Sequence, residues 1–249
     1  MNRSLLPVLA LSLAVGTANA QFLYVSGFEG PQFVAGQSID GIDGWTTLIS
    51  PQAIEVVRSS AQASSGRKSL RCWGGDPDLQ STQGLLDGAW THTASVNPMW
   101  AASAVVYVQC DVRLDGPDTG NGPANDLVSA NLYARNGVGG TPFMYVSSTG
   151  DVYCFSSSVG GGAGYQFATP VALGQYHRLA MMLDYSTHLV AFSVDGVTVG
   201  VLPFGGQATE AFNGAILEFA AVDDLQWVDP TLYTGSWDNL IMLAWPNCW

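Results

Sequence analysis

The chain has 249 residues, 47% of them hydrophobic, and carries eight Lys and Arg against twenty Asp and Glu, for a formal net charge of −12. Lys68 is its only lysine, so there is no basic patch, which excludes nucleic-acid backbones and anionic membrane surfaces as partners. The same field repels uronate-rich or sulfated glycans and leaves a neutral polysaccharide as the easier ligand.

Met1–Ala20 reads as a secretory signal peptide. Arg3 is the positive start, Leu5–Val15 the apolar stretch, and Ala18-Asn19-Ala20 a small-x-small cleavage site. The apolar run is too short to span a bilayer, which takes roughly 18 residues or more, and no later run is long enough either. The expectation is a secreted protein, extracellular or periplasmic, whose residues 21–249 form a single domain without a Pro/Ser-rich linker.

In chain order, Phe22–Phe28 alternates and ends in Gly27-Phe28-Glu29-Gly30. Ile54–Val57 is a short strand. Ser65-Gly66-Arg67-Lys68 then leads into a core strand, Ser69–Trp73. Gly74–Asn97 reads as irregular and holds Trp90 and His92. Ala101–Leu114 is a long alternating strand ending in the turn-rich loop Asp115–Asn125. Asp126–Arg135, Thr141–Ser147 and Asp151–Ser156 are three more strands, and Ser157–Gly164 reads as a flexible loop.

Tyr176–Gly200 is an antiparallel meander. Leu179, Met181 and Leu183 share one parity, Leu189–Val194 alternates again, and Asp195-Gly196 gives the two positive-φ positions of a type I′ hairpin turn. Ala215–Val222 and Ser236–Leu243 complete the strands. No segment holds a 3.6-residue apolar period beyond two turns. Regular short strands with turn signals predict an all-β fold, a two-sheet antiparallel β-sandwich of jelly-roll type.

Three stretches carry a family likeness: the Gly27-Phe28-Glu29 start, the run from Ser65 to Trp73, and the meander with its Val194-Asp195-Gly196 turn. With Trp237-Asp238-Asn239-Leu240 in the closing strand, they resemble the concanavalin A-like lectin/glucanase (laminin-G-like) jelly rolls. The resemblance implies that the first and last strands lie side by side, which brings Glu29 and Asp238 together. Oxygen-only coordination by two such acids and nearby carbonyls suits a structural Ca²⁺.

Glycoside hydrolysis needs two carboxylates held about 5–10 Å apart. The E-x-D-x-x-E signature of the glucanase branch is absent, and Glu29, Glu55, Glu210 and Glu218 are the only glutamates. A polysaccharide lyase needs a base and a group that neutralises a carboxylate. Its candidates are His92, His177, Tyr107 and Arg178, although His177 and Arg178 have adjacent parity and point to opposite faces. Sugar rings stack on exposed aromatics, and the loop-side candidates are Trp90, Trp100, Trp227, Tyr233 and Trp237.

Cys72, Cys110, Cys154 and Cys248 lack CxxC spacing, which argues against zinc and redox roles. In an exported chain they predict two disulfides. Long closed loops constrain the unfolded chain most, which favours Cys72–Cys248 with Cys110–Cys154 among the three connectivities. Together these features point to a non-catalytic carbohydrate-binding protein. The alternatives are a glycan-active enzyme, foremost a lyase, and a structural or adhesive surface protein.

Overall fold

The computed structural model describes residues 20–49, 54–58, 63–73, 85–96, 104–117, 128–136, 141–158, 161–166, 169–205, 212–222 and 232–246. Nearly all of the expected leader, together with Trp100, Trp227 and Cys248, lies outside the described residues.

The described residues form fifteen strands. They are β1 (Gln21–Ser26), β2 (Trp45–Ile49), β3 (Ile54–Arg58), β4 (Lys68–Trp73), β5 (Leu85–Thr93), β6 (Ala104–Asp115), β7 (Val128–Asn136) and β8 (Phe143–Ser147). The remainder are β9 (Val152–Ser158), β10 (Gly161–Gln166), β11 (His177–Asp184), β12 (Leu189–Val194), β13 (Val197–Pro203), β14 (Phe212–Val222) and β15 (Thr234–Pro246). Every pairing is antiparallel. Eight strands form one sheet in the order β13-β12-β11-β6-β15-β4-β3, with β1 also on β15, and seven form the other in the order β10-β9-β8-β7-β14-β5-β2. This is the predicted two-sheet sandwich. No helix among the described residues is long and apolar enough to cross a membrane.

Period-2 alternation decides which side chains meet between the sheets. Val106, Val108, Cys110, Val112 and Leu114 of β6 are buried opposite the inner parities of β7 and β14, Ala130, Leu132, Leu217 and Phe219 among them. Each fully buried Val, Leu or Phe is worth roughly 1.5–3 kcal/mol relative to exposure, so this layer dominates the fold's stability. The predicted hairpin turn is present, with φ of 50° at Asp195 and 81° at Gly196.

Two segments differ from the sequence reading. β5 runs through the stretch read as irregular, because Leu85-Leu86-Asp87-Gly88-Ala89 lacks alternation and β14 imposes the strand by pairing with it. β10 replaces the expected flexible loop. Its GGAGYQ sequence has low strand propensity, but its backbone completes a ladder on β9.

The expected Cys110–Cys154 disulfide is not formed, and both are free, buried thiols. Cys110 sits on β6, which packs over β7 and β8, whereas Cys154 sits on β9, which lies against β13. The two sulfurs therefore belong to different parts of the interlayer. Cys110 Sγ instead donates to the Asp238 carbonyl at 3.2 Å. Burial pushes the Cys110 thiol well up and Cys154 up to about 12, so neither forms a reactive thiolate at neutral pH. Cys72 is buried in β4, and the bridge expected for it reaches to Cys248, outside the described residues.

Candidate functional site

The outer face of the seven-stranded sheet gathers aromatic and polar side chains that alternation leaves outside the core. In β7, Val128, Ala130, Leu132 and Ala134 point inward, so Ser129, Asn131, Tyr133 and Arg135 take the outer side. Phe143 and Tyr145 of β8, Tyr153 and Phe155 of β9, and Ile216 and Glu218 of β14 share that parity with respect to their buried neighbours. Register then lines them up in two rows. One runs Glu218–Asn131–Tyr145–Tyr153, and the other Ile216–Tyr133–Phe143–Phe155.

The rings form a continuous array. Centroid separations are 4.8 Å for Tyr133–Phe143, 5.0 Å for Phe143–Phe155, 4.9 Å for Tyr145–Tyr153 and 6.0 Å for Phe143–Tyr145, with interplanar angles of 18–37°. Carbon atoms in contact lie about 3.5–4 Å apart, so parallel rings at these centroid distances are offset like roof tiles. All five side chains are half-buried, neither part of the core nor fully in solvent.

Beside the rings lies a polar centre. Glu218 Oε2 accepts hydrogen bonds from Asn131 Nδ2 at 2.6 Å and from the Tyr133 hydroxyl. An ionised carboxylate only accepts, which turns the amide nitrogen of Asn131 towards it and the amide oxygen away. That oxygen, Asn131 Oδ1, has no partner among the described residues, although Asn131 is 4% exposed. A buried acceptor without a donor costs about 1–3 kcal/mol. Arg135 Nη1 donates to Thr91 Oγ1 at 3.2 Å at the end of the same face.

The residues singled out from sequence fall elsewhere. Tyr233 and Trp237 are fully buried, so neither offers a ring face to a sugar. Tyr233 donates to the Pro117 carbonyl at 2.8 Å. Trp237 is on the inner parity of β15, and its Nε1 crosses the interlayer to the Asn131 carbonyl at 3.1 Å. Trp90 lies in β5 opposite Leu217, with its side chain outside the described set, where Trp100 and Trp227 also fall.

The four lyase candidates are not brought together in one cluster. His92 of β5 turns inward at the sheet edge, stacked on Tyr24 at 3.6 Å, with Nε2 donating to the Asp43 carbonyl at 2.9 Å. Burial holds its pKa below the ordinary imidazole value. Tyr24 is pushed up to about 12 by the same burial and donates to Asp43, so this group clasps the first two strands. His177 starts β11 and spans Asp195 Oδ2 at 2.9 Å and the Ala172 carbonyl at 3.1 Å, which fixes the neighbouring hairpin. Tyr107 and Arg178 do share a face, the outer side of the eight-stranded sheet. There Tyr107 donates to Gln109 Oε1 at 2.8 Å, while Arg178 Nε is ion-paired to Asp111 Oδ1 at 2.9 Å.

That second face is a closed network. Asp111 also accepts from Ser64 Oγ at 2.7 Å and from Asn239 Nδ2 at 2.8 Å. Burial raises its pKa, but the donors from Arg178, Asn239 and Ser64 outweigh burial and hold it below the carboxylate range. A bulge after Asp238, with Asn239 at φ 52°, turns the asparagine towards Asp111. Asp238 Oδ2 accepts from the amides of Ser64 and Ser65, each at 2.9 Å, and Oδ1 from that of Asn239 at 2.7 Å. Burial pushes Asp238 up to about 6 despite these donors.

Sequence reasoning missed the aromatic face because it looked for rings in loops. The available signal was aromatic residues on the non-core parity of strands, as in Asn131-Leu132-Tyr133 and Phe143-Met144-Tyr145.

No protein-family model matches the chain, and no curated protein sequence matches it. Solved structures do. An endo-β-1,4-glucuronan lyase from the fungus Trichoderma reesei aligns with a TM-score of 0.61 at 12% identity, covering 89% of this chain and 95% of that one. An endo-1,3-β-glucanase from Streptomyces sioyaensis aligns with a TM-score of 0.60 at 16% identity, covering 92% and 98%. An alginate lyase from Aplysia kurodai aligns with a TM-score of 0.57 at 8% identity, covering 89% and 98%. At these identities the likeness is one of fold alone, a two-sheet antiparallel jelly roll.

Proposed function

We propose that this chain is a secreted carbohydrate-binding protein that holds a neutral polysaccharide on the outer face of its seven-stranded sheet. The observation that carries the reading is the row of half-buried aromatic rings on the outer face, set beside the Glu218 carboxylate. A carboxylate on that face calls for hydroxyl donors, and half-buried rings call for the apolar C–H face of a sugar. A uronate would meet the Glu218 carboxylate and be repelled. That three structures of the same fold are named for enzymes acting on β-glucan, glucuronan and alginate supports a glycan as the ligand class. The leader-like N-terminus supports export.

A lyase is the second reading, and one arrangement favours it. Tyr133 and Arg135 share the outer parity of β7, and the Tyr133 hydroxyl is hydrogen-bonded to Glu218. A phenol and a guanidinium on one face are the groups proton abstraction next to a carboxylate would use. Incubating the mature chain with a panel of neutral and uronate polysaccharides, while following both retention and the ultraviolet absorbance of unsaturated products, separates the readings. Retention on a neutral glycan without new absorbance supports the binding protein, and absorbance rising on a uronate polymer replaces it with the lyase. If neither appears across the panel, the structural or adhesive role takes its place.

A further inference from the structure

The corner where β1 leaves the eight-stranded sheet brings Glu29 and Asp238 close, as expected for a calcium site, but its polar groups do not fit a divalent cation. A Cβ on Gly27 would lie 3.5 Å from Asp238 Oδ1 and 3.9 Å from Glu29 Cγ, which places both acids round one glycine. Glu29 Oε1 and both carboxylate oxygens of Asp238 are taken by backbone N–H groups. Glu29 Oε1 accepts from the amides of Arg67 and Lys68, and Asp238 accepts from those of Ser64, Ser65 and Asn239.

The segment Ser64–Lys68 is therefore an anion-binding nest filled by the protein's own carboxylates. Gly66, at φ +68°, is required there, since a Cβ would collide with the Glu29 carboxylate. A cation entering this point would face the positive ends of five N–H dipoles.

The carbonyl oxygens of the corner have a cation already. Lys68 Nζ donates to the carbonyls of Glu29 at 3.3 Å, Gly30 at 3.1 Å and Phe33 at 2.8 Å. An ammonium has three donors and no acceptor, so three carbonyls use all of its hydrogens. Calcium would need six to eight oxygens at about 2.3–2.6 Å, and these three are committed elsewhere. Among the described residues no group of three or more His, Cys, Asp and Glu gathers as a metal shell.

We infer that Lys68 is the structural cation of this corner: its ammonium occupies the carbonyl cage in place of a divalent ion, and the fold is independent of calcium. The exchange is reciprocal. The loop gives amides to the carboxylates of Glu29 and Asp238, and receives through Lys68 the carbonyls of the turn that follows Glu29. One side chain thus ties the end of β1 to the start of β4.

Thermal melts of the mature chain in EDTA and in millimolar CaCl2, with calorimetric titration of CaCl2, test this directly. The expected result is a Tm unchanged within about 1 °C and no saturable heat, with Lys68→Met melting roughly 5 °C or more below the parent. A Tm that rises several degrees with calcium, or a saturable heat of binding, overturns the inference. So does a K68M chain as stable as the parent. The wild-type arms need no variant to fold.

Discussion

The two outer faces of this sandwich use similar side chains to opposite ends. On the eight-stranded sheet, Asp111, Arg178, Asn239 and Ser64 close on one another, and the carboxylate of Asp111 is saturated by its neighbours. On the seven-stranded sheet, Glu218, Asn131 and Tyr133 also meet, but an amide oxygen is left over beside rings that are only half covered. The first cluster satisfies itself and stabilises the fold; the second leaves a buried acceptor without a donor beside the rings. The aromatic rings, present on one face and not in the Asp111 network, separate the two.

The comparison can be broken at several points. Trp237→Ala should cost about 3–5 kcal/mol in urea unfolding, because the indole joins the two sheets. If it removed glycan retention while leaving stability intact, the assignment of Trp237 to the core would fail. Asp111→Ala should cost about 2 kcal/mol, less than for a fully buried pair because Arg178 is half exposed, with glycan retention unchanged. Tyr145→Ala and Glu218→Gln should do the reverse. Each is expected to weaken retention about tenfold, as a loss near 1.4 kcal/mol implies, and to change stability by less than about 1 kcal/mol. Equal loss of stability and retention in those variants would erase the distinction between the faces.

A further effect concerns pH. The raised pKa of Asp238, about 6, means that its contribution to stability is present below the ordinary carboxylate value and lost as pH climbs through 6. Asp111, lowered, contributes in the opposite direction: its stabilisation is present above the ordinary value and lost on acidification. The stability of Asp238→Asn relative to the parent should therefore improve from about pH 4 to pH 7, by at most about 1.4 kcal/mol per pH unit. Urea titrations across that range would show a flat difference if the aspartate titrated normally.

Much of the architecture was legible because most strands obey strict alternation. The β6 run from Val106 to Leu114 and the Asp195-Gly196 turn carry period and punctuation in the residues themselves. β5 and β10 were not legible, since Gly88-Ala89 and Gly161-Gly162 have no pattern of their own and become strands through partners distant in sequence. The site was half-written. Every ring of the aromatic face sits on a predicted strand, but which parity faces solvent beside Glu218 depends on a register that only the folded sheet sets. The convergence of Glu29 and Asp238 followed from the resemblance, whereas the role of Lys68 there depends on a turn geometry that spacing does not encode.

β15 follows the other described strands in the chain, yet it lies in the interior of its sheet, bonded to β6 along one side and to β4 and then β1 along the other. Gln21 pairs with Ala244. The fourteen described strands before β15 must all leave the ribosome before β1 and β4 gain this neighbour, so closure of the larger sheet comes after them and carries a high loop-entropy barrier. Until then, β4 and β6 show unpaired edges, the condition in which nascent β chains aggregate or are held by chaperones. A chain that cannot close early also stays threadable, and the time before β15 emerges is the interval in which an unfolded polypeptide can still be passed through a narrow pore.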